Sequence, residues 1–227
     1  MSDTPRFAVI GLGRFGARLA RELAADGAEV IAVDQRQDLV EQIRDHVTLA
    51  VALSAADEHA LRAQGIDKVD VAVVGIGTAF EDAVLATSTL KRLGVERVIS
   101  RATSARRAEI LSRVGADDVV NPEAEAADRW SGRLMMPQVM ERIELGERHS
   151  LVQIRAPEAW TGKTLEQLRL RKRHKVNVVV IRRLLPDDEK GGAGYVIDTP
   201  MPDSRVETGD VLVVVGSNDA IEALPKA

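Results

Sequence analysis

Cysteine is absent from the 227 residues, which excludes disulfides and thiolate metal centres. Aromatic residues make up only 3% of the chain, too few for the stacking platform that single-stranded nucleic acid needs. Positive charge is not in excess either. The net charge of −4 speaks against a general nucleic-acid binder, so no nucleic-acid partner is expected. No apolar run approaches the roughly 20 residues of a membrane-spanning helix. The opening MSDTPRF carries no charged-then-apolar leader, so no secretion signal is expected and a cytoplasmic setting is natural. Apolar residues reach 45%, an ordinary globular share. The length suits one large domain, or a medium one and a small one.

Through the first 120 or so residues a unit repeats: an apolar run, a helical pattern, then a glycine. RFAVIGLG reads as a strand covered on both faces. Phe15, Leu19 and Leu23 follow on one helical face, and Gly27 ends that helix. GIDKVDVAVVG, GVERVIS and GADDVV restart the strand signal at Gly65, Gly94 and Gly115. Six strands are expected near Phe7–Gly11, Glu29–Val33, Thr48–Leu53, Val71–Gly75, Arg97–Arg101 and Asp118–Val120. Helices are expected between them at Asp57–Gln64, Ala79–Leu93 and Ala105–Val114. This alternation implies βαβ crossovers and a doubly wound α/β, Rossmann-like parallel sheet.

After VVNPE, Ala124–Leu145 reads as one long helix carrying Trp130, Leu134, Met136, Val139, Met140 and Ile143. Pro137 is expected to kink or split it. Its apolar load suits packing within its own domain, or a contact with another subunit or domain. From Ser150 a smaller α+β unit is expected: strands in SLVQIRA, VNVVVIRR, GYVIDT and ETGDVLVVVGS, and short helices in KTLEQLRLR and NDAIEAL. The polar LLPDDEKGGA joins two of these strands as a turn.

Gly11, Gly13 and Gly16 hold G-x-G-x-x-G spacing between the first strand and the first helix. That spacing permits a tight turn, a close backbone approach to a pyrophosphate, and helix packing on the sheet. The helix N-terminus then offers unpaired N–H groups to phosphate. Asp34 ends the second strand 18 residues after Gly16, where a carboxylate accepts hydrogen bonds from ribose hydroxyls and repels a 2′-phosphate. It also suits a helix cap for the segment that follows. Arg36 lies just beyond, placed to stack on adenine or simply to face solvent. Arg14 is the unusual residue of the loop. It fits a charge-assisted contact to an additional phosphate, or a solvated arginine at a helix start.

Chemistry is missing. His46, His59, His149 and His174 form no spaced pair, and Tyr195 has no lysine four residues on. There is no H-E-x-x-H, nucleophile elbow or P-loop lysine. A hydride-transfer enzyme needs an acid or base near its cofactor, so binding without catalysis is the better reading. The basic run RLRKRHK, Arg169 to Lys175, suits a solvated face, a contact with anionic lipid or a membrane subunit, or a second phosphate-bearing ligand.

FAVIGLGRFG, Asp34, VNPE ending at Glu123, and the tail MPDSRVETGDVLVVVGSNDAIEAL together resemble the RCK (regulator of K⁺ conductance) family. The resemblance covers nearly the whole chain and is closest to the cytoplasmic regulatory subunits of Ktr and Trk potassium-uptake systems. It implies a nucleotide-binding domain over residues 1–122, a crossover or linker helix over 123–149, and a C-terminal domain over 150–227. It further implies a nucleotide-sensing regulatory subunit, not an enzyme, that binds ATP or ADP, or in some members NAD(H). Such subunits form homodimers that assemble into an octameric ring beneath a membrane ion-translocating subunit, peripheral to the inner face of the plasma membrane. Carried onto this sequence, Arg14 reaches a terminal phosphate in a neighbouring subunit and Arg101 faces the phosphates. Glu123 helps place a divalent or monovalent cation there, as a metal-site residue. Phe15 lies within the glycine loop, and Ser54, Ala55 and Gly75, Ile76, Gly77 and Thr78 line the adenine and ribose. The stretch SAAD, Ser54 to Asp57, departs from the DAT or NAT of relatives, which leaves nucleotide preference open. Some relatives hold cyclic di-AMP between paired C-terminal domains, and Val178 and Val180 present an apolar face for such pairing. An NAD-dependent oxidoreductase with a degenerate substrate domain, or an NAD(H)-binding redox sensor without ion gating, are the alternatives.

Overall fold

The computed structural model describes residues 4–136, 139–184 and 195–225. The chain divides into two units, Met1–Glu125 and Ala126–Ala227. In the first, β1 (Arg6–Ile10), β2 (Glu29–Asp34), β3 (Leu49–Ala52), β4 (Val71–Val74), β5 (Arg97–Arg101) and β6 (Asp118–Val120) form one parallel sheet. Its order is β3-β2-β1-β4-β5-β6. The crossovers carry α1 (Arg14–Ala25), α2 (Gln37–Ile43), α3 (Glu58–Ala63), α4 (Phe80–Leu93) and α5 (Ala105–Val114).

Alternation along the strands feeds two cores. Ala8, Ile10, Val33 and Val74 pack on one side with Leu61, Leu90 and Leu111. Val9, Val30 and Ala32 pack on the other with Ala20, Val40 and Ile43. Side chains alternate faces along a strand, so a continuous apolar run marks one covered on both sides. Asp57 and Ser104 cap α3 and α5, accepting hydrogen bonds from the Ala60 and Arg107 backbone N–H groups. Gly94 and Gly115 end α4 and α5 in the left-handed region, at φ 86° and 118°.

Asp117, between α5 and β6, ties this layer to the sheet. Its carboxylate accepts from Val98 N at 2.7 Å and pairs with Lys91 Nζ at 3.0 Å. The Val98 backbone N–H, then the Lys91 ammonium, hold the Asp117 carboxyl below the usual aspartate range. A depressed folded value means the bonus is present above the unfolded value and is lost as pH falls through the folded one. Asp117→Asn is therefore expected to lower urea stability at pH 7, with the gap from wild type closing under acid conditions. A gap of equal size at both pH values would show that the carboxylate's charge plays no part.

The second unit is an antiparallel sheet ordered β10-β9-β11-β8-β7. Its strands are β7 (Val139–Gly146), β8 (His149–Arg155), β9 (Val176–Leu184), β10 (Tyr195–Asp198) and β11 (Val211–Ser217). The chain enters it along α6 (Pro122–Met135), with α7 (Leu165–Leu168), α8 (Leu170–Arg173) and α9 (Asn218–Glu222) following. Its core gathers Val152, Ile154, Trp160, Ile181, Leu212, Val214 and Ile221. Asp210, only 1% exposed, accepts from both Nε and Nη2 of Arg183 and from Glu207 N.

Two expectations are corrected here. The long helix over Ala124–Leu145 stops at Met135, and Val139–Gly146 is the edge strand β7, paired with β8 through Arg142↔Val152 and Ile143↔Leu151. The apolar set Val139, Met140 and Ile143 fits either period, and pairing with β8 decides between them. The expected kink at Pro137 lies outside the described residues, as does most of the turn LLPDDEKGGA. Trp130, Leu134 and Met135 on α6 are exposed, and Val139 is buried in the second core. The single helix expected in KTLEQLRLR is broken at Arg169, which takes φ 49° and ψ 42°. That break lets Leu168 and Leu170 both turn inward while Arg169 stays outside.

Candidate functional site

A cleft of about 540 Å³ opens at the carboxyl ends of β1 and β4, where the strand order reverses direction. Crevices at that position are the usual ligand sites of doubly wound sheets. Its floor is backbone. Gly11 donates to Val33 O at 2.7 Å, and Gly75 donates to Ile10 O at 2.7 Å, so both loops stay anchored to the sheet. Gly11 takes φ +91°. A Cβ on Gly16 would overlap the Gly11 carbonyl oxygen, and one on Gly75 would lie 3.0 Å from that same atom. Three backbone segments therefore meet in contact that leaves no space for side chains. Gly13 differs: it precedes α1 and has nothing within 4 Å of where a Cβ would sit. The open space beside Gly13 and the uncapped first turn of α1 form an anion cradle.

Gly11, Gly13, Arg14, Phe15, Asp34, Arg36, Ser54, Ala55, Ile76, Gly77, Thr78, Arg101 and Glu123 all line this cleft. Gly16 does not; it lies beneath, against Gly11. Arg14 is exposed on the cleft and makes no ion pair among the described residues. Asp34 is bound to the loop itself, its Oδ2 accepting from Leu12 N at 2.6 Å and its Oδ1 from Arg36 N at 2.9 Å. Each oxygen keeps acceptor capacity for a ligand hydroxyl. Arg36 pairs with Asp38 through Nε at 3.1 Å and Nη2 at 2.5 Å, which leaves the flat face of its guanidinium. This hydrogen-bonded pairing raises Arg36 and lowers Asp38 relative to their ordinary values.

The SAAD stretch is spent locally. Ser54 Oγ accepts from Ala56 N at 3.3 Å and from Gln35 Nε2 at 3.4 Å, while Asp57 caps α3. On the far side Arg101 donates from Nη2 to Glu123 Oε1 and packs against Gly77, with its Cζ 5.9 Å from the Phe15 ring centre. Glu123 is the carboxylate that pairs with this guanidinium. Among the described residues no group of three or more His, Asp or Glu is placed to hold a metal ion. His46, His59 and His149 are exposed and His174 lies 5.6 Å from the Trp160 ring; none lines the cleft.

Gln35, Leu39, Asp82, Leu85 and Thr103 also line the cleft, and no motif in the sequence marks them. Gln35 adjoins Asp34 and Thr103 follows β5 closely, so position after a strand end was the available signal. Asp82 and Leu85 carried none beyond the i, i+3 spacing at the start of α4.

The parallel sheet, the glycine loop and the acid ending β2 define a Rossmann-like nucleotide-binding protein with a smaller α+β unit attached. Among the described residues no helix is long and apolar enough to cross a membrane. The chain belongs to the potassium-uptake family built from a TrkA-N domain, matched over residues 7–122, and a TrkA-C domain, matched over residues 150–226. It is 34% identical to the Ktr system potassium uptake protein C of Bacillus subtilis (strain 168), over 97% of this chain and 96% of that protein. It is 30% identical to the Ktr system potassium uptake protein A of Vibrio alginolyticus, over 95% and 94%. Among solved structures, the GsuK RCK domain superposes with a TM-score of 0.63 at 16% identity, over 98% of this chain and 48% of that one. This chain thus spans about half the length of that RCK structure.

Proposed function

We propose that this chain is a non-catalytic nucleotide sensor that regulates a membrane potassium-uptake subunit. The observation that carries the reading is Arg14, exposed and, among the described residues, without an ion pair at the rim of a phosphate cradle. Full-length similarity to Ktr potassium uptake proteins supplies the physiological setting. ATP or ADP is the ligand we favour, because the pyrophosphate of NAD is already served by the α1 terminus, whereas the third phosphate of ATP, or the extra charge on the free terminal phosphate of ADP, gives Arg14 a partner. NAD(H) is the second reading: the GsuK channel bound to NAD superposes at a TM-score of 0.59, at 16% identity.

The chain would act as homodimers assembled into an octameric ring, held at the inner face of the plasma membrane by its partner. There Arg14 would serve the nucleotide of a neighbouring subunit. A nucleotide shifts such an assembly only by its differential affinity for two conformations, and a terminal phosphate held by Arg14 supplies one. A cation beside the phosphates would find Glu123 as a carboxylate ligand, with phosphate oxygens and water completing its shell, since no group of three or more His, Asp or Glu is gathered among the described residues. The basic arc Arg169–Lys175 is exposed apart from Leu170 and His174, and is our candidate surface for cyclic di-AMP.

Calorimetric titration with ATP and ADP tests the central point. Wild type is expected to prefer ATP, and Arg14→Ala to shrink that preference by about tenfold. Equal ATP-to-ADP ratios in the two proteins would sink the assignment.

A further inference from the structure

Arg101 ends β5 and closes one side of the cleft, with its side chain only 15% exposed. Its Nη2 donates to Glu123, its Nη1 lies against Gly77, and its Nε is buried with no hydrogen-bond partner among the described residues. Glu123 is the contrasting partner. Its side chain is 59% exposed, and it sits in the first turn of α6, where the helix terminus favours negative charge even without Arg101. Both residues line the nucleotide cleft. An anionic group that comes to Arg101 there meets a carboxylate already in place.

We infer, building on the nucleotide reading above, that Glu123 is an internal competitor for the phosphate chain: the phosphate nearest Arg101 exchanges with the Glu123 carboxylate on the guanidinium. Arg101 is fixed by burial, so it stays while its partner changes. Glu123 is exposed, so once displaced it turns toward solvent instead of remaining beside the like charge of the phosphate. A nucleotide whose phosphates stop short of Arg101 leaves the pair intact. The exchange thus makes binding depend on phosphate number, and it moves a charge at the root of the helix by which the chain enters its second unit. It also gives Glu123 a sign opposite to that of a residue that only helps binding through a cation: without divalent ions it weakens polyphosphate binding.

The test is calorimetry on the full-length protein in EDTA, with ATP and AMP as probes, for wild type, Glu123→Gln, Arg101→Gln and the double variant. Thermal unfolding checks the fold of each, and the uncharged Arg101→Met replaces Arg101→Gln if the latter does not fold. Glu123→Gln is expected to tighten ATP about three- to tenfold and to change AMP by less than about twofold. In the Arg101 variant the same substitution is expected to change ATP affinity by less than about twofold, because nothing is left to compete for. Unchanged or weakened ATP binding by Glu123→Gln in EDTA overturns the exchange. So does an equal gain with and without Arg101, which marks simple charge repulsion. If wild type binds neither nucleotide, the sensor reading falls and the exchange with it; if wild type binds and Glu123→Gln changes nothing, only the exchange falls.

Discussion

Asp210→Ala is expected to destabilise the second unit by about 2–4 kcal/mol. Asp210 is almost fully buried and accepts three hydrogen bonds, two from the Arg183 guanidinium and one from Glu207 N. Removing it leaves Glu207 N without its acceptor and leaves Arg183 only the Glu207 carboxylate at 3.3 Å and the Arg205 carbonyl at 3.2 Å, and losing a buried acceptor costs more than the pair itself contributes. Arg183 is 35% exposed, so water recovers part of its solvation and keeps the effect below that of a fully enclosed pair. The measurement has a built-in reporter. Both tryptophans, Trp130 and Trp160, belong to Ala126–Ala227, and Trp160 is buried in that core. Urea unfolding followed by tryptophan fluorescence therefore reads this unit. A shift below about 1 kcal/mol would show that Arg183 finds other partners at little cost.

The second large effect lies in the glycine loop and separates folding from binding. A Cβ on Gly16 overlaps the Gly11 carbonyl oxygen, which is backbone and has no rotamer to change. Gly16→Ala must push α1 off the loop, with an expected loss of about 2–4 kcal/mol and of nucleotide binding with it. Gly13→Ala is the control. Gly13 has φ −64° and nothing near its Cβ position, so alanine is expected to change stability by less than about 0.5 kcal/mol. The new methyl nevertheless stands where the backbone meets phosphate, and affinity for ATP is expected to fall about tenfold or more. Far-ultraviolet circular dichroism follows the first, and calorimetry the second. Full-affinity binding by Gly13→Ala would mean the phosphates are held elsewhere.

The first unit was legible because each signal was local and agreed with the next: apolar runs, one-faced helices and glycines at helix ends gave all six strands in their places. The helix α2 is only hinted at by Asp34 as a cap, since QDLVEQI offers only Leu39, Val40 and Ile43 as apolar positions, and its N-cap is Arg36 with no side-chain cap. β7 was misread for the opposite reason: its apolar residues satisfied the helical period, and only pairing with β8, which no local pattern announces, fixes it as a strand. At the site, the glycine loop and Asp34 could be read from spacing alone. Arg101 and Glu123 could not. They lie 22 residues apart, and their meeting depends on β5 and β6 being neighbours, so only family resemblance pointed to them. The commitment of Ser54 and Asp57 to their own turn and helix was likewise hidden, because Ser and Asp serve equally well as ligand contacts or as caps.

The Arg36–Asp38 pair carries a consequence for how a base is read. With Nε and Nη2 occupied, Arg36 offers this end of the cleft a flat, polarisable plate more than a directed charge. A plate rewards the area of an aromatic ring and is indifferent to the pattern of donors and acceptors on its rim. Under the nucleotide reading proposed above, a base resting on Arg36 would be selected for breadth, purine over pyrimidine, and guanine would be told from adenine only by groups elsewhere on the wall.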